Sequence, residues 1–122
     1  MDNRILLIED EPNISEAIRF ILQRDGYLVD MHSDGATALA AVAQKHPGMV
    51  ILDVMLPNRS GFDILRDLRA NDATAGLPVL ILTARGQDKD RDLAMRLGAS
   101  RFITKPFSNA DVLTAVRELI AP

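Results

Sequence analysis

Hydrophobic residues along the chain follow two alternating spacings. Five short runs are β-prone, and those leading to Asp53 and Thr83 are apolar throughout, which is typical of strands buried on both faces of a sheet. Between the runs, apolar residues recur every three or four positions, as on the buried face of a helix. Strands are predicted at residues 4–8, 27–31, 49–53, 78–82 and 101–104. Helices are predicted within residues 13–26, 34–45, 62–70, 88–97 and 109–120.

Residues with strong end preferences set the predicted helix bounds. Asn13 is the predicted N-cap of the first helix, and Gly26 is its predicted stop. Ser108 or Asn109 is predicted to cap the last helix. Strand and helix alternate five times, which indicates right-handed βαβ units on a parallel sheet. The chain is therefore predicted to be one α/β domain, residues 1–122, with a three-layer doubly wound five-stranded parallel sheet.

Composition narrows the classes of function. The chain has 122 residues, 48% of them hydrophobic, which suits one domain with a substantial core. It has no cysteine, which excludes disulfides, thiol catalysis and thiolate metal sites. A net charge of −3 provides no electrostatic footprint for nucleic acid or an anionic membrane. No run is long enough for a signal peptide or a membrane span, so a cytoplasmic protein without a membrane partner is expected.

Reactive side chains lie at the ends of four predicted strands. Glu9 and Asp10 follow the first strand, Asp53 ends the third, Thr83 follows the fourth and Lys105 follows the fifth. In open α/β sheets the carboxyl ends of parallel strands meet at one edge, where ligands bind. We therefore expect these side chains to share one pocket.

The predicted pocket has the composition of a phosphoryl-transfer site. Its three carboxylates would repel one another unless a proton or cation neutralised them, and hard oxygen ligands favour Mg²⁺. An aspartate in such a site can act as the nucleophile toward phosphorus, while Thr83 and Lys105 contact phosphoryl oxygens. The backbone N–H groups of Val54 and Ala84 are predicted to complete the cradle. Each residue alone also fits an ordinary role as a cap, strand or turn residue, but their joint occurrence favours the functional interpretation.

Five short motifs, in this order and spacing, resemble the receiver domain of two-component response regulators over essentially the whole chain. They are Ile8-Glu9-Asp10-Glu11, Leu52-Asp53-Val54-Met55-Leu56-Pro57, Ser60-Gly61-Phe62, Leu82-Thr83-Ala84 and Thr104-Lys105-Pro106-Phe107. The resemblance implies the flavodoxin-like strand order 2-1-3-4-5, which receivers of this family exemplify.

The resemblance also implies a role for each site residue. Asp53 is the expected phosphoacceptor, and Mg²⁺ is expected to be bound by Asp10, Asp53 and the backbone carbonyl of Met55, with Glu9 acting mainly through a water. Thr83 and Lys105 are expected to contact the phosphoryl group, and the Lys105–Pro106 bond is expected to be cis. Two residues match the family's switch positions: Thr83 and Phe102.

A phosphorylation-activated signalling switch is therefore the leading hypothesis. The expected phosphodonor is a sensor histidine kinase or a histidine phosphotransfer protein, and the chain is expected to catalyse only its own phosphotransfer and dephosphorylation. Two alternatives are a phosphatase of the haloacid dehalogenase type, which would need an aspartate where Met55 stands, and a degenerate receiver used only for docking. Met55 and Arg85 occupy positions that control access of the attacking water in this family, and they leave the lifetime of the phosphorylated state open.

The expected output face comprises the fourth helix, fifth strand and fifth helix. The sequence otherwise resembles the winged-helix transcription-factor branch, although no DNA-binding segment is present, and Arg91 and Asp111 match one charge pair of that branch's symmetric dimer. The segment Ser100-Arg101 and Ala115 depart from the pattern of that dimer. A monomer or weak dimer is therefore expected, with a downstream effector that the sequence does not identify.

Overall fold

Five parallel strands form the centre of the computed structural model, which describes residues 3–84 and 88–120. The strand order is β2-β1-β3-β4-β5, and every neighbouring pair is parallel. The strands are β1 (Arg4–Ile8), β2 (Leu28–His32), β3 (Met49–Asp53), β4 (Val79–Thr83) and β5 (Arg101–Thr104). The helices are α1 (Pro12–Arg24), α2 (Ala38–Lys45), α3 (Gly61–Ala70), α4 (Asp88–Arg96) and α5 (Asn109–Leu119). The predicted doubly wound fold and its strand order are confirmed.

Alternating strand residues divide the core into two layers. On β3, Val50 and Leu52 pack toward α2, α3 and α4, whereas Met49 and Ile51 pack toward α1 and α5. All four side chains are fully buried, which explains why the run is apolar without alternation. Complete burial of one such side chain stabilises the fold by about 1.5–3 kcal/mol. The central strand is thereby held firmly up to Asp53, its last residue.

Helices α4 and α5 are attached to the sheet to different degrees. Six of the nine α4 residues are charged, and Ala94 is the one described α4 residue that is fully buried. Helix α5 buries three side chains and begins with a reciprocal cap between Ser108 and Asp111. Arg117 of α5 also donates two hydrogen bonds, of 2.9 and 2.5 Å, to the Asp25 carboxylate beyond the end of α1. Helix α5 thus buries more side chains than α4 and has an additional ion pair with the end of α1.

Several predicted bounds differ from the structure, most of them by a residue or two, and three of the differences have local reasons. Helix α1 begins at Pro12, with Glu11 at the N-cap position, so Asn13 lies inside the helix. Proline suits the first helical position because its fixed φ is helical and its missing N–H would be unpaired there. A 3₁₀ turn, Gly35–Thr37, precedes α2 where one continuous helix was predicted. Tyr27 lies before β2, and its hydroxyl donates a 2.8 Å hydrogen bond to the Ile120 carbonyl.

The predicted end of α1 and the predicted cap of α5 agree with the structure. Gly26 follows α1 with a φ of 96°, a left-handed conformation that glycine adopts without steric strain. Ser108, one of the two predicted caps, accepts a 3.1 Å hydrogen bond from the Asp111 N–H. Within residues 3–84 and 88–120, no helix has both the length and the apolar character needed to cross a bilayer.

Candidate phosphoacceptor and metal site

The predicted site residues lie at one edge of the sheet. Glu9 and Asp10 follow β1, Asp53 ends β3, Thr83 ends β4 and Lys105 follows β5. The register pairs Ile8 with Leu52, Asp53 with Leu82, and Thr83 with Thr104, so these strands end at nearly the same level. Parallel pairing alone therefore brings residues that are far apart in the sequence to one edge.

Three carboxylates form the acidic part of the site. Glu9, Asp10 and Asp53 each offer an oxygen, and these atoms lie within 4.8 Å of one another. Glu9 and Asp53 are each only 3% exposed, whereas Asp10 faces solvent. Burial strengthens the repulsion among the carboxylates because the surrounding dielectric constant is lower than that of water.

Lys105 provides the cation nearest to these carboxylates in the described part of the chain. Its Nζ lies 3.1 Å from Asp53 Oδ2 and 3.3 Å from Glu9 Oε1. Burial lowers the pKa of the Lys105 ammonium, but hydrogen bonds and charge from both carboxylates outweigh that effect, so the net pKa lies above its ordinary value. The Lys105–Pro106 peptide bond is cis, as the resemblance implied. Lys105 is therefore a stable positive charge at Asp53.

Glu9 has unsatisfied capacity to bind a cation. Burial, followed by the nearby Asp53 carboxylate, raises the pKa of Glu9 to about 8 despite the opposing effect of Lys105. Its Oε2 atom is buried and has no hydrogen-bond partner among the described residues. A buried oxygen without a partner is destabilising, and either a proton or a metal ion would satisfy it.

The donor atoms fit Mg²⁺. The pocket offers three carboxylates, and Mg²⁺ prefers hard oxygen ligands while retaining several waters. The Met55 side chain is 71% exposed, so the residue can contribute to the site through its backbone carbonyl without its side chain. The orphaned Glu9 oxygen, rather than the acidic composition alone, is the observation that supports a bound cation.

The Val54 N–H is not available for the phosphoryl contact predicted for it. Val54 N–H continues the strand ladder and donates a 3.2 Å bond to the Leu82 carbonyl, so it is not free to bind a phosphoryl oxygen. The Met55 N–H instead donates a 3.2 Å hydrogen bond to Asp53 Oδ1. The Val54 part of the prediction was wrong because strand pairing between β3 and β4 continues one residue beyond Asp53.

Gly61 lies directly against the backbone of Asp53, a role that the sequence interpretation missed. A Cβ atom at Gly61 would lie 2.2 Å from the Asp53 carbonyl oxygen and 2.9 Å from Val54 Cα. The Gly61 N–H also donates a 3.0 Å bond to the Val54 carbonyl. The glycine in the Ser60-Gly61-Phe62 motif was the available signal, but only the tertiary contact shows which backbone it approaches.

Of the two predicted switch residues, Thr83 ends β4 and Phe102 lies on the neighbouring strand β5. Thr83 is fully buried, and its hydroxyl is 3.4 Å from the Ile103 carbonyl and 3.5 Å from Thr104 Oγ1. Phe102 is half-buried, with the Arg91 guanidinium carbon 5.4 Å from its ring centre. Arg85, which was predicted to influence water access, lies outside the described residues.

The raised pKa of Glu9 predicts that the metal-free protein loses stability as pH rises. Between pH 4.5 and about 8, the folded chain holds a proton that the unfolded chain has released. The free energy of unfolding should therefore fall with pH across this window and level off above it. Urea denaturation in the presence of a chelator measures the fall. Glu9→Gln, which cannot titrate, is the control, and an equal fall in that variant would contradict the assignment to Glu9.

A comparison with protein families matches the description "Response regulator receiver domain" to residues 5–117. The DNA-binding dual master transcriptional regulator RpaA of Synechocystis sp. is 40% identical over 117 residues, which cover 96% of this chain and 48% of that protein. The chain spans about half the length of the curated relatives it matches.

Solved structures agree with this match. The chemotaxis response regulator CheY4 of Vibrio cholerae has a TM-score of 0.90 at 25% identity, covering 98% of this chain and 100% of that one. The receiver domain of sensor histidine kinase PA1611 from Pseudomonas aeruginosa has a TM-score of 0.87 at 27% identity, covering 98% of both chains. That structure holds a magnesium ion in its active-site cleft.

Proposed function

Because this chain belongs to the response regulator receiver domain family, a family of signalling domains, we propose that it is a switch activated by phosphorylation of Asp53. The observation that carries the proposal is the buried Asp53 carboxylate, with Lys105 Nζ at 3.1 Å and two further carboxylates beside it. We further propose that residues 1–122 are one receiver domain, of which the family match covers residues 5–117.

Phosphoryl transfer would proceed by attack of an Asp53 carboxylate oxygen on phosphorus. The new P–O bond forms as the P–N bond to a phosphohistidine breaks, and the leaving imidazole takes a proton from solvent. Lys105 then loses the Asp53 charge as partner but gains a phosphoryl oxygen, so its own charge stays compensated. Histidine kinases are partners of response-regulator receivers, and we propose such a kinase, or a histidine phosphotransfer protein, as the donor.

Mg²⁺ would be held by Asp10, Asp53 and the Met55 carbonyl, with Glu9 acting through a water. When bound, it would neutralise negative charge on the carboxylates and the phosphoryl oxygens. The protein's own contribution is to orient Asp53, through the Met55 N–H on one oxygen and the Lys105 ammonium on the other. Positioning and charge compensation are the main requirements of phosphoryl transfer.

The switch would operate through Thr83 and Phe102. The Thr83 hydroxyl makes only long contacts, of 3.4 and 3.5 Å, with β5, so little is lost when it turns toward a phosphoryl oxygen. The space that it leaves lies beside β5, where Phe102 is half-buried. We propose that phosphorylation shifts an existing equilibrium of the α4-β5-α5 face and thereby changes its affinity for a downstream partner.

The charged residues of this face favour a monomer or weak dimer. Arg91 pairs with Asp88 and stacks over Phe102, so it is already engaged within its own chain. Asp111 is the acidic member of the α5 cap. Ala115 is buried in the core, so the expected missing basic residue does not correspond to an exposed site in this structure.

The effector and location remain proposals. The names of several relatives describe transcriptional regulators, but this chain covers only about half of those proteins. We propose a cytoplasmic role because regulators of this kind act there on DNA, and we propose no direct contact of this domain with nucleic acid. The phosphatase alternative has no support at the position where it needs an acid, because Met55 stands there with its side chain in solvent.

Acetyl phosphate tests the proposed function directly. The full chain should gain one phosphoryl group in the presence of Mg²⁺ and none in the presence of a chelator, as measured by intact-mass spectrometry. A small donor suffices because the domain supplies the nucleophile and the charge compensation itself. Continuous release of phosphate without a phosphorylated protein would instead favour the phosphatase, and no uptake in either condition would refute both.

A further inference from the structure

The loop of residues 54–61, which joins β3 to α3, carries the proposed metal-binding carbonyl of Met55. Because the Met55 side chain is 71% exposed, packing of that side chain does not hold the carbonyl in place. The position of the carbonyl must therefore come from the rest of the loop, including Leu56, which packs against the core. Besides an ion pair between Arg59 and Asp67, the loop's hydrogen bonds are concentrated at two places, its base and its far side.

At the base, the Val54 carbonyl closes the loop. It accepts hydrogen bonds from the Leu56 N–H at 3.2 Å and from the Gly61 N–H at 3.0 Å. These bonds hold the residues on both sides of Met55 and bring the start of α3 against β3. The bonds to the Val54 carbonyl do not fix the segment from Pro57 to Arg59, which needs other contacts.

The far side of the loop is held by the segment between β2 and α2. Asp34 Oδ1 accepts a 2.9 Å hydrogen bond from Asn58 Nδ2, and the Gly35 N–H donates a 3.1 Å bond to the Pro57 carbonyl. The contact is so close that a Cβ atom on Gly35 would lie 2.2 Å from the Arg59 carbonyl oxygen. Residues 24 positions apart in the sequence thus form a tight clamp.

The clamp accounts for the backbone conformation of Asn58 and for the charge of Asp34. Asn58 has a φ of 70°, in the left-handed region, where asparagine is one of the few non-glycine residues found regularly. Hydrogen bonds from Asn58 and then from the Ala36 N–H lower the pKa of Asp34, so its carboxylate is charged and a strong acceptor at neutral pH. The bond to Asp34 therefore holds a left-handed turn three residues after Met55.

We propose that Asp34 is a positioning residue for the metal site, acting through Asn58 to hold the Met55 carbonyl where it binds Mg²⁺. This inference rests on the proposed function, because it assumes the Met55 carbonyl as a ligand. Asp34 touches neither the metal nor the phosphoryl group, so its effect is on how well the loop is pre-organised. Residues that orient metal ligands in this way commonly change affinity by tenfold or more when replaced.

Calorimetric titration with Mg²⁺ tests the clamp on the full chain. Asp34→Ala and Asn58→Gly should each weaken Mg²⁺ binding by about tenfold. The double variant should be no weaker than either single variant because both remove the same bond. Asp34→Asn keeps an oxygen acceptor for Asn58 and Ala36, so it should bind Mg²⁺ within about twofold of wild type.

Two features of this set separate positioning from other effects. Asn58→Gly removes the donor while easing the left-handed φ, so its melting temperature in chelator should stay near that of wild type even as Mg²⁺ affinity falls. If Asp34→Ala fails to fold, Asn58→Gly still tests whether the clamp affects Mg²⁺ binding. Asp34→Asn removes only the charge, so equal weakening in Asp34→Asn and Asp34→Ala would show long-range electrostatics and overturn the clamp.

The outcomes also distinguish this inference from the proposed function. Wild type that binds no Mg²⁺ and takes up no phosphoryl group would refute the proposed function and the clamp together. Wild type that does both, alongside unchanged Mg²⁺ affinity in Asn58→Gly, would overturn the clamp alone. We expect Asp34→Ala and Asn58→Gly to bind Mg²⁺ more weakly than wild type, and Asp34→Asn to bind it about as tightly as wild type.

Discussion

Replacing Asp53 with asparagine should reduce phosphoryl uptake from acetyl phosphate to an undetectable level. The amide keeps the shape of the side chain and can still accept the Met55 N–H, but it lacks the nucleophilic carboxylate. Because the amide is nearly isosteric with the carboxylate, the fold should be retained, and loss of uptake then reports the chemistry rather than unfolding. Intact-mass spectrometry in the presence of Mg²⁺ measures the effect.

A control carboxylate is available in the loop between α3 and β4. Asp72 is exposed, so Asp72→Asn changes the net charge equally without touching the site. It should take up one phosphoryl group at the wild-type rate. Equal phosphoryl uptake by the Asp53→Asn variant and the wild type would show that another residue is phosphorylated. It would refute the assignment of Asp53 as the phosphoacceptor.

Replacing Gly61 with alanine should destabilise the protein by about 3 kcal/mol or more, which is the range of severe steric substitutions. The added Cβ would meet the carbonyl oxygen of Asp53 at 2.2 Å and the Cα of Val54 at 2.9 Å. Both are backbone atoms in or next to the central strand, so relief requires the strand or α3 to move. The same movement would displace Asp53, so the folded fraction should also phosphorylate more slowly.

Gly76→Ala is the matched control. A Cβ at Gly76 would meet no atom within 4 Å. Its free energy of unfolding should therefore stay near that of wild type or rise by up to about 1 kcal/mol through reduced freedom of the unfolded chain. Urea denaturation of both variants gives the comparison, and similar midpoints for the two would contradict the proposed clash.

The strand positions were largely predictable because they depend on short-range patterns, whereas the strand order came from the resemblance to receiver domains. The predicted bounds of β1, β3 and β5 match the structure, since apolar runs ending in polar residues mark where buried strands leave the core. The start of α1 was harder because Pro12 and Asn13 are both favourable near a helix N-terminus, and only the backbone conformation distinguishes them. The 3₁₀ turn before α2 likewise has no distinct apolar period.

The site was predictable in its membership but not in its orientations. Parallel strands require Glu9, Asp53 and Lys105 to meet, and they do so. The direction of the Thr83 hydroxyl depends on a side-chain rotation that no sequence pattern specifies. The contact of Asp34 with Asn58 was missed for a different reason. It joins two loops, whose relative height depends on how the whole sheet is assembled.

The light attachment of α4 bears on the motions that the domain can make. Because its surface is mostly charged and it fully buries only Ala94 among its described residues, detaching it exposes little apolar area. Helix α5, tied through Arg117 and an apolar face, resists the same displacement. Among partial openings of the domain, release of α4 should therefore have a low free-energy cost, while the sheet, α1 and α5 stay intact. Signalling would then need only to increase the population of this opening.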